Sequence, residues 1–474
     1  MSKQLVVLTW AALAMIGGCS SASDEAAEPT ASVSAQALEL AANDRGFAES
    51  FHTAGTIDRS NPFFTPNGGN GRTCETCHLS DQGWTITPDA VAELFASTQG
   101  LALLFNTLDE GSRPDNDVST LAARKKAFTS TLLKHGVTRF PLTVTDAAEF
   151  TVTAVKDPSG FSTLSPQRLI IFRRPSPVSN EAKVAQTNWA FRPSDFGGVD
   201  VPTFLVPNAI GASSFHLQNP NLPVGLASSI RDFQLGLFFA QSFDNDAGAL
   251  DAGGAKGGPA FLAAQPFHVG INDIQGQDPQ GNQFNPQVFD LFDAWADADA
   301  DKTLSGSAKK RAQAKASIYR GQQLFNLRQF DISGVNGLND LLGKPVVRGT
   351  CSTCHNTPNV GGHSVIRFFD TGTADKDRCL SDYPVITIVN KATSAVRKVC
   401  DLGRAGAGFP PSGHWADVGA FRAPPLRGLA ARSPYFHDGQ AMSIEDVIDF
   451  YRHRFNITLS GKERTDLGNF LEAL

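Results

Sequence analysis

Two pentapeptides of the form Cys-x-x-Cys-His carry the most specific chemical signal in this sequence. Each supplies two thiols and one imidazole: Cys74, Cys77 and His78 in the first, and Cys351, Cys354 and His355 in the second. Two thiols at this spacing add across the two vinyl groups of a porphyrin, and the adjacent imidazole becomes an axial ligand of its iron. The sequence therefore predicts two covalently bound c-type haems, with His78 and His355 as the proximal ligands.

Two other interpretations of a Cys-x-x-Cys pair fit less well. A structural zinc site needs a second pair of ligands at zinc spacing, and each copy lacks one. A thioredoxin-like redox pair requires no following histidine, whereas both copies have one. The histidine at the end of each motif therefore favours haem attachment.

An internal repeat accompanies the two motifs. Arg45-Gly46 precedes the first and Arg320-Gly321 precedes the second at a similar separation. A repeat of this kind predicts two copies of one module, each built on one haem. A chain of 474 residues is also long enough for more than one core. We expect an N-terminal haem domain with insertions over residues 45–305 and a C-terminal haem domain over residues 306–474.

The pattern of apolar residues predicts a mainly α-helical fold. Helical periodicity extends over residues 90–98, 121–134, 226–243, 288–298, 308–325 and 444–455. Short alternating stretches such as 150–155 and 169–172 predict strands, and the segment 248–287, rich in Gly, Pro, Asn and Asp, predicts surface loops. The expected architecture is two cytochrome c-like domains with long loops and a few short strands.

The N-terminus predicts export and attachment to a membrane through lipid. An apolar run ends in Ile16-Gly17-Gly18-Cys19, which resembles a bacterial lipoprotein processing site. Residues 1–18 are then a signal peptide, Cys19 carries the lipid, and residues 19–44 form a flexible tether. An uncleaved membrane span is disfavoured because the run is well short of the roughly 20 residues that a bilayer requires. The expected location is the periplasm or cell envelope, and Ser20 resembles the residue found in lipoproteins sent to the outer membrane.

Two cysteines remain after the lipid and haem assignments. The chain has seven, and the unassigned pair is Cys379 and Cys400. Because export leads to an oxidising compartment, a disulfide is favoured over two buried free thiols.

The charge balance argues against nucleic acid as a partner. The formal net charge is −6 and the sequence pI is near 5.9. Binding to a phosphate backbone needs Lys and Arg clustered on one face. Neither DNA nor RNA is therefore expected to bind.

The segment from Phe421 to Gly439, FRAPPLRGLAARSPYFHDG, resembles the signature of bacterial di-haem cytochrome c peroxidases and MauG-type enzymes. With the two haem motifs, the resemblance covers residues 45–474, more loosely in the middle third. It implies that hydrogen peroxide is reduced to water with electrons from a small soluble donor, a cytochrome c or a cupredoxin. It leaves open whether calcium binds between the domains and whether the protein forms dimers.

The resemblance also implies roles near the second haem. In the family its sixth ligand lies fourteen residues beyond the signature histidine, here His437, and is Met in peroxidases or Tyr in MauG-type enzymes. Tyr451 occupies that position, on the apolar face of a helix that starts after Ser443. A tyrosine that only packs in the core, with its hydroxyl on a backbone carbonyl, is the alternative. Met442 is a weaker candidate because it lies in the turn before the helix, and His437 is expected to order the loop over this haem.

Three further residues follow from the resemblance. The family places a tryptophan between the haems as an electron relay, followed by Asp-Gly-Arg; Trp189 matches it and Arg192 is kept, but Asp-Gly is not. One branch has a Gln-Ala pair and a histidine eight residues beyond the Gln in the distal pocket of the first haem. Asn208 and His216 match that spacing, with Asn in place of Gln. His216 would ligate iron or move a proton during peroxide cleavage. A core tryptophan and a solvated loop histidine are the alternatives.

The resulting prediction is a di-haem cytochrome c peroxidase in which His216, Trp189 and Asn208 take part in catalysis. Two alternatives remain. One is a MauG-type oxidase or oxygenase that acts on a protein or organic substrate, which Tyr451 favours. The other is a non-enzymatic electron-transfer cytochrome in which both irons are six-coordinate.

Overall fold

The structure is a computed structural model that describes residues 39–107, 112–160, 162–164, 167–408 and 410–474. The predicted signal peptide and Cys19 lie outside the described residues. Strand β1 (Glu39–Asn43) begins inside the segment predicted as a tether and pairs with β2 (Gly46–His52) in antiparallel register. Within the described ranges, no helix has the length and apolar character needed to cross a bilayer.

Helices start where a capping residue precedes an apolar face. The Thr87 side chain caps α1 (Pro88–Thr98), and Ser443 with Asp446 forms a capping box at α8 (Ile444–Arg454). The remaining α-helices are α2 (Leu121–Phe128), α3 (Val201–His216), α4 (Val224–Gly236), α5 (Pro259–Ala264), α6 (Gly306–Leu327), α7 (Asn339–Leu342) and α9 (Gly461–Glu472). The helices predicted at 90–98, 308–325 and 444–455 are confirmed as α1, α6 and α8.

The prediction of a mainly α-helical fold is wrong, because the protein is mixed α/β with 34% helix and 16% strand. The other strands are β3 (Thr138–Leu142), β4 (Phe150–Lys156), β5 (Thr163–Leu164), β6 (Gln167–Arg173), β7 (Leu237–Asp244), β8 (Gly248–Ala249), β9 (Phe330–Ser333), β10 (Val346–Gly349), β11 (Val385–Asn390) and β12 (Val396–Val399). They form four antiparallel sheets in the orders β1-β2-β7-β8, β3-β6-β5, β4-β11-β12 and β9-β10.

The error has a local cause in the segment 226–243. Helix α4 ends at Gly236, and the following apolar run continues as strand β7, whose first five residues are all buried. A strand covered on both faces loses its alternation, so its sequence cannot be told from that of a buried helix by periodicity. The helix predicted at 288–298 is also wrong, since only a short 3₁₀ turn forms at Asp293–Trp295.

The two Arg-Gly pairs occupy different elements but make the same kind of contact. Arg45 pairs with Asp244 at the β1–β2 turn, and Arg320 in α6 pairs with Asp466 in α9. A Cβ on Gly46 would lie 2.3 Å from the carbonyl oxygen of Phe243, and one on Gly321 would lie 1.9 Å from that of Asp466. Each glycine therefore permits close approach of a neighbouring backbone.

The described residues form one compact unit. Strand β11 pairs with β4, for example Ile388 with Val152, so one sheet joins segments from both sides of the predicted boundary at residue 305. The division into domains 45–305 and 306–474 stays a prediction. The predicted disulfide is confirmed: Cys379 and Cys400 are bonded, with Cα atoms 5.7 Å apart.

Candidate functional site

Both Cys-x-x-Cys-His motifs have the same local structure. Each begins as a 3₁₀ turn, Cys74–Thr76 in the first and Cys351–Thr353 in the second. In each turn the backbone N–H of the threonine before the first cysteine donates to the hydroxyl of the threonine before the second, at 3.1 Å in the first motif and 3.0 Å in the second. The repeated threonines therefore fix the turn that holds both thiols on one side of the backbone.

The two histidines are oriented by backbone carbonyls. Nδ1 of His78 bonds the carbonyl of Trp84 at 3.1 Å, and Nδ1 of His355 bonds the carbonyl of Gly361. Since a ring nitrogen that donates to a carbonyl fixes the tautomer, Nε2 is the nitrogen left with a lone pair for a metal. Burial lowers the pKa of His78 to about 4 and also lowers the pKa of His355. Both imidazoles are therefore neutral at pH 7, the form that ligates iron.

An apolar cavity of about 210 Å³ lies at the second motif. Its walls include Cys351, Cys354 and His355 from the motif and Tyr451 from α8. Burial raises the pKa of both thiols to about 12, so neither is ionised at neutral pH. The cavity thus brings together the residues predicted to attach and ligate the second haem.

Tyr451 differs from Tyr383 and Tyr435 in the bonding of its hydroxyl. The hydroxyls of Tyr383 and Tyr435 donate to backbone carbonyls, at 2.8 and 2.9 Å. Among the described residues, none forms a hydrogen bond with the Tyr451 hydroxyl, whose ring stacks on Phe455. Burial raises the pKa of this phenol. Tyr451 is therefore not a core tyrosine whose hydroxyl bonds a backbone carbonyl. Iron ligation by Tyr451 stays a prediction. Met442 is 50% exposed and is not among the residues that line the cavity.

Trp189 lines both a cavity at the second motif and a cleft near the first motif. Its indole N–H donates to the carbonyl of Arg174 at 2.8 Å, and its half-buried ring lines the cavity that contains Tyr451. The same residue lines a smaller cleft together with Gly83. Gly83 precedes Trp84, the residue whose carbonyl holds His78. This position suits the predicted relay, which stays a prediction.

Helix α3 connects the predicted distal residues of the first site. The charge of His216, at its last turn, contributes after burial to the lowered pKa of His78, so the two imidazoles lie within electrostatic range. The Asn70 side chain, just ahead of the first motif, donates to the His216 carbonyl at 2.9 Å. Asn208, two turns earlier, accepts a hydrogen bond from Asn188 at 3.1 Å, next to Trp189.

His437 sits in a buried polar cluster beside the cavity. Its ring stacks on Phe421 with centroids 3.9 Å apart, and its Nε2 lies 3.8 Å from a carboxylate oxygen of Asp401. Asp401 also accepts two hydrogen bonds from Arg173, at 2.7 and 2.9 Å. The His437 carbonyl accepts from the backbone N–H of Arg174. These contacts fix the loop that carries the signature segment.

Sequence reasoning missed several charged residues around Trp189. Arg422 and Arg432 are buried and line the same cavity and cleft as the indole ring, and Glu181 lies in the cleft. The two arginines belong to the signature segment, but nothing in the sequence indicates which of its arginines face a cavity. Within the described ranges, no group of three or more His, Cys, Asp or Glu side chains is arranged to hold a metal ion.

The structure is a mixed α/β protein with two Cys-x-x-Cys-His sites that share one local turn, and parts of the chain are similar to known proteins. A cytochrome-c peroxidase of Denitromonas iodatirespirans is 31% identical over 140 residues, 27% of this chain and 36% of that protein. The cytochrome c551 peroxidase of Pseudomonas aeruginosa is 33% identical over 98 residues, 21% of this chain and 22% of that protein. The methylamine utilization protein MauG of Methylorubrum extorquens is 40% identical over 85 residues, 16% of this chain and 24% of that protein.

These partial matches support membership of the chain in the superfamily of di-haem cytochrome c peroxidases and MauG, a family of oxidoreductases whose members bind haem c. No protein-family model and no solved structure matches the chain. The chain spans about a third or less of the length of the curated relatives it matches.

Proposed function

We propose that this chain is a c-type cytochrome with two covalently bound haems that reduces hydrogen peroxide to water. The observation that carries the proposal is the identical turn at both motifs, each with an imidazole whose Nδ1 is held by a carbonyl. Electrons would come from a small soluble donor, a cytochrome c or a cupredoxin. The partial similarity to two cytochrome c peroxidases supports the same activity.

The residues at the second motif fit a covalently bound haem. The wall of the cavity is largely apolar, the two thiols lie in it, and the Tyr451 hydroxyl has no hydrogen bond within the described structure. When bound, the two haems would supply one-electron redox chemistry and an iron at which peroxide is cleaved. His78 and His355 would hold the irons through Nε2.

The overall reaction consumes one hydrogen peroxide, two protons and two electrons and releases two water molecules. Since small donors deliver one electron each, two haems in one chain suit it. His216 would carry a proton between the two peroxide oxygens as a general acid–base, held in place by the end of α3 and by Asn70. Trp189 would shorten the gap that electrons cross between the porphyrins.

A second candidate function is favoured by one specific observation. The unbonded Tyr451 hydroxyl in the cavity suits a tyrosine ligand, which MauG-type enzymes have at this position. In that case the chain would oxidise a protein or organic substrate in place of a small donor. The similarity to MauG supports this candidate.

The proposed location is the periplasm or cell envelope, with Cys19 carrying lipid. The disulfide between Cys379 and Cys400 supports an oxidising compartment. Radiolabelled fatty acid fed to cells would be incorporated into the wild-type chain and not into the Cys19→Ala variant. Incorporation into both chains would contradict the assignment.

The peroxidase proposal is tested on the purified holoprotein. We expect two haems per chain from the pyridine haemochrome spectrum and peroxide-dependent oxidation of a reduced small cytochrome. His216→Ala should lower turnover by roughly 10²–10⁴-fold, the contribution typical of a general acid–base, with haem content unchanged. His414→Ala, which removes an exposed imidazole paired with Glu149, is the matched control and should leave turnover unchanged.

Three other outcomes would contradict the peroxidase proposal. Fewer than two haems per chain would refute the proposal. Two haems with no donor oxidation, but peroxide-dependent oxidation of an organic or protein substrate, would select the MauG-type candidate. Two haems with neither activity would leave only electron transfer and refute both.

A further inference from the structure

Two buried guanidinium groups lie beside Trp189 with most of their hydrogen-bonding capacity unused. Arg422 and Arg432 are 6% and 7% exposed, and both line the cavity of the second motif. Arg422 donates from one terminal nitrogen to the Gln186 carbonyl at 2.7 Å, and Arg432 donates to the Pro425 carbonyl at 2.6 Å. Nε of each is buried without a partner. A guanidinium has five N–H donors, so both groups are poorly satisfied.

No acidic side chain of the described structure forms an ion pair with either arginine. Two other buried arginines have such a partner: Arg173 pairs with Asp401, and Arg404 pairs with Asp195. Burial, and to a smaller extent the positive charge of Arg422, lowers the pKa of Arg432 to about 10. Buried charges are ordinarily paired, because removing an ion from water is strongly unfavourable. Arg422 has an acidic neighbour, Glu181, within electrostatic range, but within the described residues neither guanidinium has a carboxylate at ion-pair distance.

Arg427, from the same signature segment, shows what a purely structural arginine looks like here. It is 1% exposed, and all three of its guanidinium nitrogens donate to carbonyls, those of Leu474, Asn359 and Gly258, at 2.9 to 3.1 Å. It does not line the cavity of the second motif. Arg422 and Arg432 differ from it in both respects.

The other cationic residues on the cavity wall are already occupied. Arg328 pairs with Glu463, and Arg452 pairs with Asp449. The guanidinium of Arg174 donates to several carbonyls, including those of Arg432 and Ile86. Elimination leaves Arg422 and Arg432 as the cations of this wall that are available to a ligand.

We propose that Arg422 and Arg432 bind the carboxylates of the porphyrin attached at Cys351 and Cys354. This inference rests on the haem content proposed above and names the groups that hold the acidic edge of that haem. The thiols fix the vinyl edge, so the two propionates must be accommodated elsewhere on a largely apolar wall. Planar guanidiniums match carboxylates with paired N–H donors. The backbone N–H of Arg422 donates to the Trp189 carbonyl at 3.0 Å, so the bound carboxylate would lie next to the relay residue.

The test is the midpoint potential of the C-terminal haem in the holoprotein, measured by spectroelectrochemical titration. A positive charge near iron favours the ferrous state, so Arg432→Gln and Arg422→Gln should each lower the equilibrium constant for reduction. We expect about a tenfold decrease, equivalent to 59 mV for a one-electron couple. Arg348→Gln removes the same charge from an exposed residue close to the motif and should leave the potential unchanged.

Lysine variants cover the case in which a glutamine variant does not fold. Arg432→Lys keeps the charge but loses the paired donors, so the porphyrin propionate band in the resonance Raman spectrum should shift while the potential changes little. An unshifted band together with an unchanged potential in the folded variants would overturn the proposal.

Two further outcomes show whether the bound carboxylate comes from the porphyrin or from a soluble anion, and whether this inference or the proposed function has failed. If adding acetate shifts the wild-type potential but not that of Arg432→Gln, the arginines bind a soluble anion, and the porphyrin assignment is overturned. Acetate without effect on the wild type supports the porphyrin as the source. A wild-type protein with fewer than two haems would instead refute the proposed function.

Discussion

Replacing Glu181 by glutamine should remove a pH dependence of stability that this single carboxyl imposes. Glu181 is 3% exposed, one carboxylate oxygen accepts from the Thr187 hydroxyl at 2.7 Å, and the other is buried without a partner. Burial raises the pKa of Glu181 to about 7, although the charge of Arg422 and the Thr187 hydrogen bond act in the opposite direction. The neutral acid is therefore the form that the fold favours.

The size and sign of the effect follow from the two pKa values. The ordinary value is 4.5 and the folded value about 7, so between these pH values the folded chain binds more protons than the unfolded chain. The free energy of unfolding therefore falls as pH rises through this window and is constant above it. At 1.36 kcal/mol for each pH unit, the total loss is about 3 kcal/mol. Glutamine resembles the neutral acid and does not ionise.

The assay is denaturant unfolding of the holoprotein followed by circular dichroism at pH 4.5 and pH 8. We expect Glu181→Gln to match the wild type at pH 4.5 and to exceed it by about 3 kcal/mol at pH 8. Glu445→Gln, which removes an exposed carboxylate from α8, is the control and should show no such difference. A Glu181→Gln protein no more stable than the wild type at pH 8 would refute the reasoning.

Three other substitutions have defined outcomes. Cys400→Ala opens a loop with a sequence separation of 21 and should lower the free energy of unfolding by about 3 kcal/mol, measured by denaturant titration. Asp401→Asn leaves the buried Arg173 without a counter-charge and should lower it by roughly 3 to 5 kcal/mol in the same assay. Trp189→Phe loses the hydrogen bond to Arg174, worth about 1 kcal/mol, and should slow peroxide-dependent donor oxidation while two haems remain.

Each of these three substitutions has a control or an outcome that would contradict it. Reducing agent should destabilise the wild type as much as Cys400→Ala and should not affect the variant. Arg348→Gln breaks an exposed pair and should change stability by less than about 1 kcal/mol, so an Asp401→Asn effect of that size would show that the buried pair is not stabilising. Unchanged donor oxidation in Trp189→Phe would contradict the relay.

The local features of the fold were predictable because they depend on neighbouring residues. Ser443 begins α8, and the positions of the cysteines and histidines in the two motifs follow directly from covalent chemistry. The boundary between α4 and β7 was not predictable, because Gly236 is followed by a run of buried apolar residues that fits either element. The outcome depended on β2, a strand nearly 200 residues earlier that supplies the pairing edge.

The site shows the same division between local and distant determinants. The sequence identifies His78 and His355, but not the carbonyls of Trp84 and Gly361 that orient them, because any residue supplies a carbonyl. The Arg-Gly repeat also shows what sequence similarity leaves out. One pair lies at a strand turn and the other within a helix, and what they share is an ion pair and a close backbone approach, which sequence similarity alone does not reveal.

Because β4 pairs with β11, its sheet cannot form in the nascent polypeptide until β11 has been synthesised. Val152 meets Ile388, and β11 is the only strand that β4 pairs with in the described sheets. At 5 to 20 residues per second, a ribosome needs roughly 10 to 50 s to synthesise the intervening segment. For that time Phe150–Lys156 presents unpaired amide and carbonyl groups, the kind of edge that associates with other chains. Association with other chains through this edge is therefore a hazard for the incomplete polypeptide until β11 is present.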